Sequence, residues 1–479
     1  MTSLPRWIRI ADAVTVALIG LALAVAIGGG FRERLGGIRI AVTSPWGLLA
    51  GALAIGIVRH VRDRRRPLYE RIARWIVNPR SPASQIAWSA LLATRPVILC
   101  VGFCAVITFG YAQGQPTVRY SENEFVNLQG RLDASWYLNI ATNGYEFSDR
   151  PATEAQSIVF FPAFPMAVRI AGRLFGGGVR AYLFGGTAVS LIAFFWALFY
   201  FHKLASDLLE STEESRAAVL LLATYPFAVF YGAVYSESLF LLGAVAAFYH
   251  MRRREYWAVA AWGLLVGLTR PNGSFMTVPL VLIALRAWIP RSGYGGAVST
   301  AADRHEPDLL APQQVVWSLA AASTPVLGLV LYSTYVWRVT GNPLAWLEGH
   351  AAWGRTYAGL LPLLHQYYSY FHDEGFYVVI VNRPYDLLNA MGALFVLALA
   401  IPVWRRLGLP YAAFVLLNLL PPLAAGGFLS AGRLSAVVFP AFLYLAAVIP
   451  ATHRVGWMAS FMAIQGFNAA LFYTLHELF

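Results

Sequence analysis

Long apolar runs recur along the chain from residue 11 to residue 474, with short polar segments between them. A membrane-spanning helix needs about 20 mostly apolar residues. Residues 157–175 are also apolar, but Pro162, Pro165 and two arginines interrupt them, which predicts an interfacial or re-entrant helix. The charged Arg32-Glu33-Arg34 segment is predicted to form a turn. The pattern predicts spans near 11–29, 42–58, 88–112, 179–202, 216–232, 236–251, 256–269, 273–289, 313–337, 385–403, 409–427, 433–450 and 456–474.

The composition excludes most other classes of protein. Of the 479 residues, 58% are hydrophobic and 13% are charged, whereas soluble domains contain about 25% charged residues. Only 2 cysteines are present, which excludes a disulfide scaffold. The sequence therefore predicts an all-α polytopic membrane protein, a transmembrane bundle of about 11–13 spans.

The distribution of arginines predicts the orientation of these spans. Cytoplasmic loops carry an excess of Lys and Arg, and the basic run from Arg59 to Arg80 places the N-terminus inside. The same run is explained as a topology anchor at anionic lipid, so no nucleic-acid partner is expected. Two large outer loops follow, 113–178 and 339–384, whereas residues 290–312 form a cytoplasmic linker.

The first outer loop contains an acid in an apolar setting. Asp133 follows Leu132 and precedes Trp136 and Tyr137, just beyond the end of a predicted span. Partial desolvation suits such a carboxylate to act as a general base. The alternative is an Asp that caps the helix beginning at Ala134, and the residues alone leave both readings open.

Three further motifs are predicted at the same membrane face. Glu237 lies between Ser236 and Ser238; it is either a polar site contact or a first-turn acid on a helix that Ser236 caps. Arg270 and Arg433 lie at membrane ends. Each either binds a phosphate or extends to the headgroup region.

The second outer loop is rich in aromatic residues. Trp346, His350 and Trp353 are spaced to share one face of a helix. They form either an interfacial belt or a surface that stacks against a sugar or a lipid tail. Several acids and histidines could ligate a metal but lack a recognised ligand spacing, so none is indicated: Glu122, Glu124, His365, His372, Asp373 and Glu374.

Taken together and in order, the motifs resemble the PIG-V family of mannosyltransferases over roughly residues 90–450. The resemblance rests on these blocks: Asp133–Tyr137, Asn143–Tyr145, Phe160–Pro165, Tyr235–Ser238, Thr269–Pro271, Asn342–Ala345, Trp353–Arg355 and Gly432–Arg433. Family members often carry Gln where His350 stands, so this position is expected to influence the choice of sugar or acceptor.

The resemblance implies a GT-C membrane glycosyltransferase that transfers mannose from a polyprenyl-phosphate donor to a lipid or glycolipid acceptor, with inversion. Asp133 would be the base, because it matches the family's first-loop acid. Arg270, Arg355 and Arg433 would bind the donor phosphate, and no cofactor is required. The residues expected to contact sugar or acceptor are Trp136, Tyr137, Tyr145, Glu237, Trp346, His350 and Trp353.

The resemblance also predicts the domain organisation. Residues 1–85 are an N-terminal extension with two spans, and residues 86–479 form the GT-C domain. The arginine bias suggests a bacterial cytoplasmic membrane, with the active site outside. The alternatives are a GT-C enzyme with another sugar or a protein acceptor, a lipid-linked sugar flippase or permease, and a non-catalytic subunit.

Overall fold

The structure is a computed structural model that describes residues 6–28, 31–35, 38–42, 44–62, 81–114, 118–147, 154–286 and 311–476. Residues 290–310 of the predicted linker at 290–312 lie outside the described residues. The part of the basic run after Arg62 also lies outside them. The division into 1–85 and 86–479 remains a prediction.

Helices dominate the described residues, as the apolar runs predict. In chain order the α-helices are α1 Arg6–Gly28, α2 Pro45–Arg62, α3 Pro82–Phe109, α4 Glu124–Asn127, α5 Ala134–Asn143, α6 Ala163–Leu174, α7 Val179–Leu208, α8 Thr212–Thr224, α9 Glu237–Arg252, α10 Tyr256–Gly267, α11 Thr277–Arg286, α12 Pro312–Ala322, α13 Thr324–Thr340, α14 Ala345–Glu348, α15 Leu360–Asp373, α16 Phe376–Asn382, α17 Pro384–Ala398, α18 Ala400–Leu407, α19 Leu409–Gly426, α20 Ala431–Ala436, α21 Phe439–Val448 and α22 Ala451–Tyr473. Short 3₁₀ helices are Ser157–Val159, Ala228–Gly232, Pro271–Met276 and Gly349–Trp353.

Several described helices are long and apolar enough to cross a membrane, which confirms an all-α polytopic membrane protein. These candidate spans are Pro82–Phe109, Val179–Leu208, Pro312–Thr340, Pro384–Leu407, Leu409–Gly426 and Ala451–Tyr473. Tyr256–Gly267 and Phe439–Val448 are shorter apolar helices.

The predicted turn at Arg32-Glu33-Arg34 is wrong. Residues Phe31–Leu35 and Ile38–Val42 form two antiparallel strands, β1 and β2, with Phe31 opposite Val42 and Leu35 opposite Ile38. Alternating apolar and polar residues favour strands, and only Gly36 and Gly37 separate the two segments in sequence, a spacing typical of a hairpin.

Helix α7 organises the core around the first predicted outer loop. It packs against α3, α6 and α9, so the helices that flank this loop and the helix that begins at Glu237 share one core. Helix α6, predicted as an interfacial segment, also contacts α1 of the N-terminal extension. Helix α7 therefore connects the first loop to the rest of the bundle.

The predicted span at 216–232 is interrupted. Helix α8 ends at Thr224 before Pro226, and a 3₁₀ helix resumes at Ala228. Carbonyl groups freed by such a break need partners, because lipid supplies none. Gln465 and Asn468 donate to the carbonyls of Ala223 and Pro226, at 3.4 and 3.0 Å.

Arg95 supplies the remaining donors at this break. Arg95 lies in the middle of α3 and is 3% exposed. Its guanidinium donates to the carbonyls of Ala228 and Ala223, at 2.5 and 3.0 Å, and lies over the ring of Phe194. This buried arginine is thus a structural donor to backbone carbonyls.

Replacing Arg95 with Met should lower the melting temperature of the purified protein markedly. The buried carbonyl of Ala228 would lose the donor that Arg95 supplies, at about 1–3 kcal/mol, and that of Ala223 would keep only Gln465. The matched control is Arg454→Met, which removes an arginine that donates to the carbonyls of Ile449 and Ala446 in a less buried place, both at 3.1 Å. Equal melting temperatures for the two variants would contradict the assigned role of Arg95.

Candidate active site

The backbone before α5 is held in a strained conformation that aims Asp133. Leu132 has φ 54°, a value that non-glycine residues rarely adopt. The backbone N–H of Asp133 donates to the hydroxyl of Tyr235 at 3.1 Å, and that hydroxyl donates to the carbonyl of Arg131 at 3.2 Å. Strain of this kind persists where the surroundings fix it, and it clusters at functional sites.

The carboxylate of Asp133 does not cap α5. Its side chain makes no cap hydrogen bond; instead Oδ2 accepts from Nη1 of Arg433 at 2.8 Å, and both side chains are 14% exposed. Among the described residues no hydrogen bond to Oδ1 is present. The capping alternative is therefore not realised, and one carboxylate oxygen is available to another group.

Glu237 lies deeper, at the start of α9, and its side chain is 0% exposed. Its Oε1 pairs with Nη2 of Arg270 and, at 3.2 Å, with Nε of Arg433. Ser236 does not cap α9. Its hydroxyl accepts from Nε of Arg270 at 2.9 Å and shares a hydrogen bond with the hydroxyl of Tyr137 at 3.0 Å.

Arg433 reaches this site from the far end of the chain. Ser430 adopts φ 58° directly before α20, and the N–H of Gly432 donates to Asn389 at 2.9 Å. A Cβ at position 432 would lie 2.2 Å from the ring of Phe227, so only glycine permits this approach. The local fold thereby brings Arg433 to Asp133 across 300 residues of sequence.

Arg355 is the third predicted phosphate ligand, and it differs from the other two. Its Nη2 donates to the carbonyl of Leu429 at 3.1 Å, and its stem lies against the backbone of Gly426. Among the described residues it has no carboxylate partner. Burial, and then the positive charge of Arg433, lower the pKa of Arg355 to about 10, so it stays charged at neutral pH.

The charges of the site sum to one surplus positive charge. Asp133 and Glu237 offset two arginines, Arg270 and Arg433, which leaves Arg355 uncompensated by a described carboxylate. Arg270 and Arg433 therefore do not simply extend to the headgroup region. A guanidinium without an acidic partner is well suited to bind a phosphate.

An aromatic cluster borders the acids. Trp136 stacks on Phe160 with ring centres 5.7 Å apart, and Trp353 meets both rings edge-on at 5.8 Å. The hydroxyl of Tyr145 donates to the carbonyl of Phe160 at 2.7 Å. Burial raises the pKa of Tyr137 to about 12, so its hydroxyl stays neutral beside Ser236.

The helix predicted to carry Trp346, His350 and Trp353 on one face is not continuous. Helix α14 ends at Glu348, and a 3₁₀ helix follows from Gly349. Glycine weakens helices, and a Cβ at position 349 would lie 2.8 Å from Val159. The change of helix type separates the two tryptophans.

As a result, the loop-two residues occupy different places. Trp346 is 6% exposed, packs on Phe161 and donates to the hydroxyl of Ser333 at 2.9 Å. His350 shares a 2.7 Å hydrogen bond with the carbonyl of Trp346, and burial lowers its pKa, which favours neutral imidazole. Of the three, only Trp353 contacts the aromatic cluster beside Asp133.

The described residues contain no group of three metal-ligating side chains. Glu124 pairs with Arg119 at 2.9 Å, and both oxygens of Glu374 accept from Arg383, at 2.8 and 2.9 Å. Glu122, His365, His372 and Asp373 likewise form no such group. The expectation that no metal or cofactor is needed remains a prediction.

Sequence reasoning missed the roles of Tyr235 and Ser236. Both stand in the Tyr235–Ser238 motif, but helix capping was the ordinary explanation for a serine there. Their actual partners, Asp133 and Arg270, are 102 and 34 residues away. The sequence sign of these roles was a tyrosine next to the polar residues Ser236, Glu237 and Ser238 at a predicted membrane boundary.

The fold and the site define a polytopic membrane protein with a buried acid–arginine centre. Residues 111–285 match the family model Mannosyltransferase (PIG-V), which confirms that the chain is PIG-V-like over this part. The match supports a membrane mannosyltransferase; it includes Asp133, Glu237 and Arg270 and ends before Arg355 and Arg433. No curated protein and no solved structure matches the chain.

Proposed function

We propose that this protein transfers mannose from a polyprenyl-phosphate donor to a lipid or glycolipid acceptor, with inversion at the sugar and Asp133 as the general base. The observation that carries the proposal is the Asp133 carboxylate. It does not cap its helix, it is held by Arg433 through Oδ2, and its Oδ1 has no partner among the described residues.

The proposed reaction uses that free oxygen. Oδ1 of Asp133 takes the proton of an acceptor hydroxyl as the hydroxyl oxygen attacks the anomeric carbon. The attack comes from the face opposite the phosphate, the bond from the anomeric carbon to the phosphate oxygen breaks, and the lipid phosphate leaves with the electron pair. A β-linked donor would thus give an α-linked product, and Arg355 would offset the charge on the leaving phosphate.

The aromatic cluster and the membrane setting support a lipid-linked substrate. Trp136, Phe160 and Trp353 form an apolar wall next to the acids, which suits a sugar face or the first isoprene units of a tail. Integral membrane spans give such a donor direct access from the bilayer. The proposed locations are the extracytoplasmic face and a bacterial cytoplasmic membrane.

The donor class is tested by supplying purified protein in lipid nanodiscs with either polyprenyl-phosphate mannose or a nucleotide-linked mannose, together with a bacterial lipid extract. The proposal expects a mannosylated lipid only with the polyprenyl-phosphate donor. Transfer from the nucleotide-linked sugar alone would contradict it.

Arg355→Gln should raise the KM for the polyprenyl-phosphate donor by about 10–100-fold, with a smaller change in the KM for the acceptor. The reason is the loss of a charge-assisted hydrogen bond, which is worth about 1.5–3 kcal/mol. The control is Arg383→Gln, an arginine of the same predicted loop that pairs with Glu374 and should retain wild-type kinetics. An unchanged donor KM in Arg355→Gln would remove Arg355 from the phosphate site.

A further inference from the structure

Glu237 is the most deeply buried charged group of the site. Its side chain is 0% exposed, whereas those of Asp133 and Arg433 are 14% exposed and that of Arg270 is 9% exposed. Glu237 is thus shielded from solvent more completely than Asp133, the residue proposed as the base. Such a position does not suit a residue that contacts a sugar.

Both arginine contacts of Glu237 use the same oxygen. Oε1 pairs with Arg270 and with Nε of Arg433, whereas Oε2 is buried with no hydrogen-bond partner among the described residues. Arg433 uses a different nitrogen, Nη1, for Asp133. Arg433 thus bridges two acids, with Glu237 holding the inner edge of the guanidinium and Asp133 contacting the outer edge.

We propose that Glu237 is a positioning residue that orients Arg433 against Asp133 and does not itself touch donor or acceptor. The proposal rests on the proposed function. It replaces the direct sugar or acceptor contact that the sequence predicts for Glu237 with a role exerted through Arg433.

The surrounding structure supports this role. Glu237 is the first residue of α9, where the helix dipole favours a negative charge. Arg270, the other partner of Glu237, is itself held by Ser236, which Tyr137 of α5 contacts. Because α5 begins directly after Asp133, this network of hydrogen bonds fixes Glu237 and Asp133 relative to each other.

The proposal predicts a specific kinetic pattern for Glu237→Gln. The substitution keeps the side chain's size but removes a negative charge, so Arg433 loses its inner anchor while the arginines near the phosphate keep their charge. The expected result is a kcat lowered by about 10–100-fold, as for the loss of one charge-assisted contact, with a donor KM that is unchanged or lower. A residue that binds sugar would instead raise KM.

The experiment measures kcat and the donor KM for wild type, Glu237→Gln and the control Glu255→Gln, in nanodiscs with polyprenyl-phosphate mannose. Glu255 pairs with His250 away from the site and should leave both constants unchanged. A raised donor KM with wild-type kcat in Glu237→Gln would overturn the positioning role.

A second variant covers the case in which Glu237→Gln does not fold. Glu237→Gln combined with Arg270→Gln removes one charge of each sign, so no charge is left uncompensated in the interior. If this double variant is monodisperse and its kcat is about 10–100-fold below that of wild type, the positioning role is supported; if its kcat equals that of wild type, the role is only charge balance and the proposal is overturned. Absence of transfer by wild type itself would count against the proposed function instead.

Discussion

Asp133→Asn should lower kcat for mannose transfer by at least about 100-fold while leaving the protein folded. General-base catalysis contributes about 10²–10⁴-fold, and an amide cannot take the acceptor proton. The amide oxygen can still accept from Nη1 of Arg433, which lies 2.8 Å from Oδ2, so the site should keep its architecture.

The matched control is Asp207→Asn. Asp207 pairs with Arg253 at 3.3 Å, in an exposed Asp–Arg pair next to the end of α9 opposite to Glu237. It should transfer mannose at the wild-type rate, and the melting temperatures of both variants should stay close to that of wild type. Wild-type kcat in a folded Asp133→Asn protein would remove Asp133 as the base.

Arg433→Ala should abolish transfer and also destabilise the fold. Removing one member of a buried ion pair leaves uncompensated charge and costs about 3–5 kcal/mol. Here the loss would leave Asp133 without its described partner and would remove one of the two arginines that pair with Glu237. The expected readouts are a clearly lower melting temperature and transfer below detection.

Arg433→Lys separates charge from geometry. Lysine restores the positive charge but cannot bridge two acids through separate nitrogens of a planar fork. It should recover most of the lost stability and only part of the activity. Full activity in Arg433→Lys, or unchanged stability in Arg433→Ala, would contradict the bridging role assigned to Arg433.

The overall fold was largely predictable, because a membrane-spanning helix requires a long apolar run, which is a property of the local sequence. Most predicted spans overlap helices in the described residues, although six helices there are long and apolar enough to cross a membrane. The breaks were harder to predict. Pro226 interrupts the largely apolar run at 216–232, and Arg95 and Asn468 from other helices donate to the carbonyls that the break frees. Such partners depend on packing between distant segments.

The site was predictable as a set of motifs but not as an arrangement. The sequence identified Asp133, Glu237, Arg270, Arg355 and Arg433. It could not show that Arg270 and Arg433 already have carboxylate partners, because those pairs join residues 33 to 300 positions apart. The resemblance implied phosphate binding for all three arginines and did not distinguish Arg355 from the two that have carboxylate partners.

The aromatic residues illustrate a different limit. The spacing of Trp346, His350 and Trp353 is correct for one helical face, but the spacing argument assumes an unbroken helix. Gly349 and its close approach to Val159 change the helix type between the tryptophans. A single glycine was the only local sign of that change.

The central claim is that Asp133 activates an acceptor for transfer of mannose from a lipid phosphate. It is tested most directly by incubating wild type and Asp133→Asn in nanodiscs with polyprenyl-phosphate mannose and a bacterial lipid extract, and by reading the lipids by mass spectrometry. The account predicts a lipid that gains one hexose with wild type and not with the variant. Equal gain of hexose with both proteins would contradict it.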